Sequence, residues 1–150
     1  MNYTTVCKPG DIFYGRVSLE YEEIHEIKVL SILITEEEGI VYTCSSKISD
    51  RSKYSTTIHF TEDDFKNLMF KTREAAQKDL EARTKLYESM NDYTEEIRFE
   101  NNLNIARKLI EHNVVNIDNL QDCGIFSETE YSYVRDLFNE QYQYLVLQDE

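Results

Sequence analysis

Ile24 to Cys44 reads IHEIKVLSILITEEEGIVYTC, and this stretch decides the fold. From Ile24 to Thr35 the positions alternate at Ile27, Val29 and Ser31 and then turn solidly apolar, the pattern of a central strand. Glu36-Glu37-Glu38-Gly39 reads as a hairpin turn, since three adjacent like charges are tolerable only in water. Ile40 to Cys44 returns as the paired strand. Working outward, the Pro9-Gly10 turn signal precedes Asp11 to Ser18 (DIFYGRVS), a run rich in β-formers. After a polar crossing from Ser45 to Lys53, Tyr54 to Phe60 sets Tyr54, Thr56, Ile58 and Phe60 on one face of a further strand.

Helical signals follow. Thr61-Glu62-Asp63-Asp64 is an N-cap with acids in the first turn, where the helix dipole favours them. That helix is short, because Met69-Phe70-Lys71 reads as extended again. Thr72 caps a long helix with Ala76, Leu80, Thr84 and Tyr87 as its apolar stripe, broken at Asn91-Asp92. Thr94 to His112 places Phe99, Leu103, Ala106 and Ile110 on one face, with Ile105 and Leu109 beside it. Asn116 opens a short helix that Gly124 closes. Ser127-Glu128-Thr129-Glu130 is a capping box that starts a last helix running to about Leu147. The expected fold is α+β: an N-terminal antiparallel sheet of about four strands (1–71) and a helical C-terminal half (72–150), in one compact domain.

The chain has 150 residues and a net charge of −13. From Glu111 onward there are nine acidic side chains and one basic one, Arg135. Such a region repels nucleic acid and attracts basic surfaces; acidity for solubility alone is the competing explanation. On the last helix, Tyr131, Val134, Phe138, Tyr142 and Leu145 share a face that reads as core. The opposite side carries Tyr133, Asp136, Leu137, Glu140 and Tyr144, with Glu128 in the first turn. Two tyrosines and a leucine among acids suit a partner-binding surface, because interfaces favour aromatic anchors. A helix buried on two sides would produce the same pattern.

Chemistry is sparse. Cys7, Cys44 and Cys123 are widely spaced and form no CxxC pair, so reduced thiols are expected and a cysteine zinc site is not. His25, His59 and His112 show no metal-ligand spacing. Cys44 and His59 fall in strands that could neighbour one another, the one cysteine–base pair to weigh. No catalytic residue, metal or cofactor is expected. Lys66, Lys71, Arg73, Lys78, Arg83 and Lys85 come nearest to a basic patch, but acids interleave them. They are expected to pair with the acidic half rather than bind nucleic acid directly. There is no apolar leader, and Val29 to Ile34, the longest apolar stretch, is too short to span a bilayer, so a cytoplasmic protein without membrane contact is expected.

Lys8-Pro9-Gly10-Asp11 before a strand, with Met69-Phe70-Lys71-Thr72-Arg73-Glu74-Ala75-Ala76 later, resembles a pattern in small uncharacterised proteins of phages and Gram-positive mobile elements. There the helix begins F-x-T-R-E-E-A; here Ala75 replaces the second Glu. Cys123 to Tyr131 resembles the helix–GIxTxxEY–helix segment at the ends of many short bacterial and phage proteins. The resemblance implies a phage or mobile-element setting, in which small acidic proteins act as inhibitors of host defence; the anti-CRISPR proteins are the analogy. The expected function is therefore a non-enzymatic nucleic-acid mimic. It would bind a basic nucleic-acid-binding protein, such as an RNA-guided nuclease, by occupying its basic groove. The alternative is a structural or regulatory homodimer joined through the C-terminal helices.

Overall fold

A computed structural model describes residues 5–19, 22–49, 52–54 and 56–143. Strands β1 (Ile12–Gly15), β2 (His25–Thr35), β3 (Gly39–Lys47), β4 (Thr56–Thr61) and β5 (Met69–Phe70) form one sheet in the order β4-β3-β2-β1-β5. Every neighbouring pair is antiparallel. The helices are α1 (Glu62–Leu68), α2 (Arg73–Glu88), α3 (Tyr93–Glu111) and α4 (Glu128–Gln141). The fold is α+β. It has one strand more than expected: two residues are too few to show a period, yet Met69 pairs with Gly15 and Phe70 with Tyr14. Among the described residues no helix is long and apolar enough to cross a membrane.

The chain divides into two compact units, Met1–Lys78 with Gln141–Glu150, and Asp79–Glu140. The change from strand to helix near residue 72 is therefore not the boundary between units, which falls inside α2.

In the first unit the register brings Val29, Cys44 and Ile58 into one row and Ile32, Tyr42 and Phe60 into the next. Phe65 of α1 fills the space over this face. Its ring stacks on Tyr42 at 4.6 Å and meets Phe13 and Phe60 edge-on at 5.2 and 6.1 Å. Full burial of such a ring contributes about 2–3 kcal/mol. The helix forms where Thr61 Oγ1 accepts from Asp64 N at 3.2 Å, and it stops at Met69, whose backbone is extended. The carbonyls of Met69 and Asn67 are met by Gln141 Nε2 at 2.9 and 3.4 Å. Thr72 caps α2 as expected, its Oγ1 accepting from Ala75 N at 3.1 Å.

In the second unit Phe99 lies among the rings of Tyr87, Phe126 and Tyr133, at 6.4, 5.9 and 6.0 Å. The α2 stripe differs from the expected one: Ala76, Leu80, Arg83 and Leu86 are buried, Tyr87 is half-buried and Thr84 faces solvent. A cation occupies the position an apolar count would pass over, because its counter-charges come from the same unit. α3 starts at Tyr93, one residue before the expected Thr94, and is capped by Asp92, its Oδ1 accepting from Glu95 N at 3.0 Å. Ile105, placed beside the core stripe by the sequence, is half exposed. Asn116 and Asn119 exchange hydrogen bonds before a single 3-10 turn, Leu120–Cys123, which Gly124 ends at φ 74°. The capping box forms reciprocally, Glu130 N donating to Ser127 Oγ at 3.2 Å and Ser127 N to Glu130 Oε1 at 2.8 Å.

Candidate functional site

The helix that ends the second unit carries the residues expected to meet a partner. Glu128, Asp136 and Glu140 face solvent. Asp136 and Glu140 are one turn apart, about 6 Å along the axis, and Glu128 lies on the same side two turns earlier. Tyr133 and Leu137 do not join them. They are 9% and 3% exposed, so the expectation that they serve as open anchors, for a partner or for a helix-mediated dimer, is corrected. Tyr144 and the expected end of the helix near Leu147 lie outside the described residues. The reason is geometric: α4 is buried along both sides, by Tyr131, Val134 and Phe138 on one and by Tyr133 and Leu137 on the other. A narrow stripe of Glu128, Ser132, Arg135, Asp136, Asn139 and Glu140 is left outside.

Tyr133 is held by charge as well as by packing. Its hydroxyl donates to Asp79 Oδ1 at 2.7 Å, and its ring lies under the Arg83 guanidinium at 5.6 Å. Arg83, 1% exposed, reaches Asp79 Oδ2 at 3.7 Å and Glu100 Oε1 at 3.2 Å, while Tyr87 donates to the other Glu100 oxygen. Burial pushes both phenols above their ordinary value, and the nearby carboxylates push the same way. For Arg83 burial disfavours the charge, but Tyr133, Glu100 and Asp79 outweigh it and hold the guanidinium ionised. Sequence reading missed this network. The signal available was the Asp79–Arg83 pair, four residues apart on a helix.

Burial withdraws charges of both signs from the surface that remains. The second unit holds fourteen acidic and six basic side chains. Arg83 and Arg107 are buried, Arg107 with its guanidinium 4.9 Å over the Phe138 ring. Six of the fourteen acids are buried or half-buried as well, so the unit exposes eight acids against four bases. Half of the basic run from Lys66 to Lys85 is committed elsewhere: Lys66 is buried beside Glu62 at 3.7 Å, Arg73 donates to Ile24 O at 2.9 Å, and Arg83 pairs with Glu100, while Lys71, Lys78 and Lys85 are exposed.

A second polar cluster sits on the sheet face opposite Phe65. Glu26, buried in β2, accepts from Tyr14 at 3.4 Å and from Tyr54, and pairs with Lys47 Nζ at 3.3 Å. Lys28 and Lys47 lie over the Tyr54 ring at 5.7 and 4.9 Å. Burial alone would raise the Glu26 pKa, but hydrogen bonds from Tyr54 and Lys47 outweigh it and hold the carboxyl below its ordinary value. A depressed folded-state pKa stabilises above the unfolded value, about 4.3, and the contribution is lost as pH falls through the folded one. Tyr54→Phe is expected to cost about 1.5–3 kcal/mol at pH 7 and less at pH 3, read from urea midpoints. An equal loss at both values would remove the carboxylate from the explanation.

Cys44 and His59 are not a dyad. Cys44 sits opposite Ile58 on the buried face, while His59 is opposite Thr43 on the other face and shares a 3.0 Å hydrogen bond with its hydroxyl. Burial pushes the Cys44 thiol up to about 12, far from a thiolate at neutral pH. Among the described residues no group of three or more His, Cys, Asp or Glu could hold a metal ion. No family model, curated protein or solved structure matches the chain.

Proposed function

We propose that this protein is a stoichiometric, non-enzymatic binding protein whose acidic helical unit occupies a basic groove built for nucleic-acid phosphates. The observation that carries the reading is the surface of the second unit, where eight exposed carboxylates stand against four exposed cations. Carboxylates such as Asp136, Glu140 and Glu128 stand in for phosphates. The anchor role assigned to Tyr133 and Leu137 passes to Tyr93 and Ile97, one turn apart on α3 beside Asp92 and Glu96; Tyr93 is 72% exposed. Inhibition of a host-defence enzyme that processes nucleic acid, such as an RNA-guided nuclease, is the reading supported by analogy with the mobile-element proteins that the sequence resembles.

Opposite potentials accelerate encounter, and salt screens them. A pull-down from bacterial lysate at about 0.1 M salt is expected to recover a basic nucleic-acid enzyme, displaced by added duplex DNA or RNA. Asp136→Lys with Glu140→Lys is expected to slow its association about tenfold or more. A bound protein indifferent to salt, to nucleic acid and to both reversals would sink the reading.

A further inference from the structure

The β2 strand is longer than its neighbour. β1 pairs with it from His25 to Lys28, and hydrogen bonds between Val29 and Gly10 and Asp11 (2.8 and 2.9 Å) end the contact. On its other side β3 follows β2 to Thr35. Among the described residues no strand pairs with Leu30 to Thr35 on the side away from β3. This open edge is apolar: Leu30, Leu33 and Ile34 are 45%, 52% and 48% exposed. Sheet edges are ordinarily protected by charges, proline or bulges; Val29 to Thr35 contains no charge and no proline, and its one irregularity is the shift in register against β3 between Val29 and Ser31.

The ends of the open edge are charged, and with opposite sign. Beyond Thr35 stands the exposed turn Glu36-Glu37-Glu38. At the other end are Lys28 and, in the turn preceding β1, Lys8, whose carbonyl accepts from Asp11 N at 3.1 Å. The neighbouring Asp11 carboxylate is taken up by the Lys8 backbone N–H at 3.0 Å. A strand basic at one end, acidic at the other and apolar between is complementary to itself in the antiparallel sense.

We infer that Leu30 to Ile34 pairs antiparallel with the same edge of a second copy of this chain, joining two sheets across a twofold axis. Ile32 lies on the axis, Leu30 faces the partner's Ile34 and Ser31 faces the partner's Leu33. Five residues is an ordinary strand length. The pairing stops at Val29, where β1 takes over the edge, so the acidic turn of each copy arrives beside Lys8 and Lys28 of the other. An isologous contact of this kind closes at two copies. It uses the first unit alone and is independent of the basic-groove reading.

The test is the mass of the full chain in solution, by light scattering and sedimentation, from micromolar to near-millimolar concentration. A dimer is expected. Leu33→Lys with Ile34→Lys, both at exposed positions, is expected to weaken it at least about tenfold with circular dichroism unchanged. Lys8→Glu with Lys28→Glu, and separately Glu36→Lys with Glu37→Lys, set like charges against each other and weaken each homodimer. An equimolar mixture of those two variants restores complementarity at both contacts and is expected to recover the dimer. A monomer throughout, a mass growing beyond two copies, or a dimer indifferent to Leu33→Lys with Ile34→Lys would overturn the inference. So would failure of the mixed variants to associate.

Discussion

Arg83→Met is expected to destabilise the protein by about 3–5 kcal/mol, the largest loss of any single substitution considered. Methionine fills most of the volume, so the loss is electrostatic. Asp79 and Glu100, whose side chains are 8% and 15% exposed, would keep their phenol hydrogen bonds but lose their counter-charge. A buried carboxylate without its partner costs far more than the intact pair contributes. Arg83→Lys keeps the charge but cannot fork between two carboxylates, and a smaller loss of about 1–2 kcal/mol is expected. Removing the whole network, with Asp79→Leu, Glu100→Met, Tyr87→Phe and Tyr133→Phe added to Arg83→Met so that no phenol is left without its acceptor, should recover much of the stability, because apolar replacement of an entire buried network is often near neutral. Urea unfolding of the four proteins decides the matter. A loss below about 1 kcal/mol for Arg83→Met would place the pair with ordinary surface ion pairs.

The second large effect is expected at Gly15. A Cβ built there would lie 2.1 Å from Leu68 O and 2.7 Å from Met69 Cε. The methionine end can swing aside. The backbone oxygen can retreat only by moving Leu68 and Met69, and Met69 is the residue through which β5 pairs with Gly15. Gly15→Ala is expected to cost about 3 kcal/mol, with faster amide exchange at Met69 and Phe70. Gly39, in the hairpin turn at φ 72°, has open space around it, so Gly39→Ala meets backbone strain alone, about 1–2 kcal/mol. If Gly39→Ala proved the costlier of the two, the close approach of β1 and β5 would not be the constraint it is taken to be.

The division between local and non-local information runs through these sites. The caps at Thr61, Thr72 and Ser127 and the αL stop at Gly124 were legible because each is a contact within a few residues. The hairpin from Ile24 to Cys44 was legible because its period and its turn agree. The α4 face was misread for the opposite reason. Tyr133 and Leu137 look displayed beside Asp136 and Glu140, yet Tyr133 is claimed by Asp79, 54 residues earlier. Arg83 was counted with a basic run although its charge is spent inside, and Glu26 gathers Tyr14, Lys47 and Tyr54 from three other stretches of chain. By itself the sequence determined four of the five strands, the caps at Thr61, Thr72 and Ser127 and the acidity of the C-terminal half, since hydrophobic period, capping and net charge are local or additive. Only the tertiary structure decided which charges are neutralised in the interior, which aromatic rings remain outside, and that the apolar half of β2 outruns β1. Those outcomes depend on which distant residues meet, and no local pattern encodes the meeting.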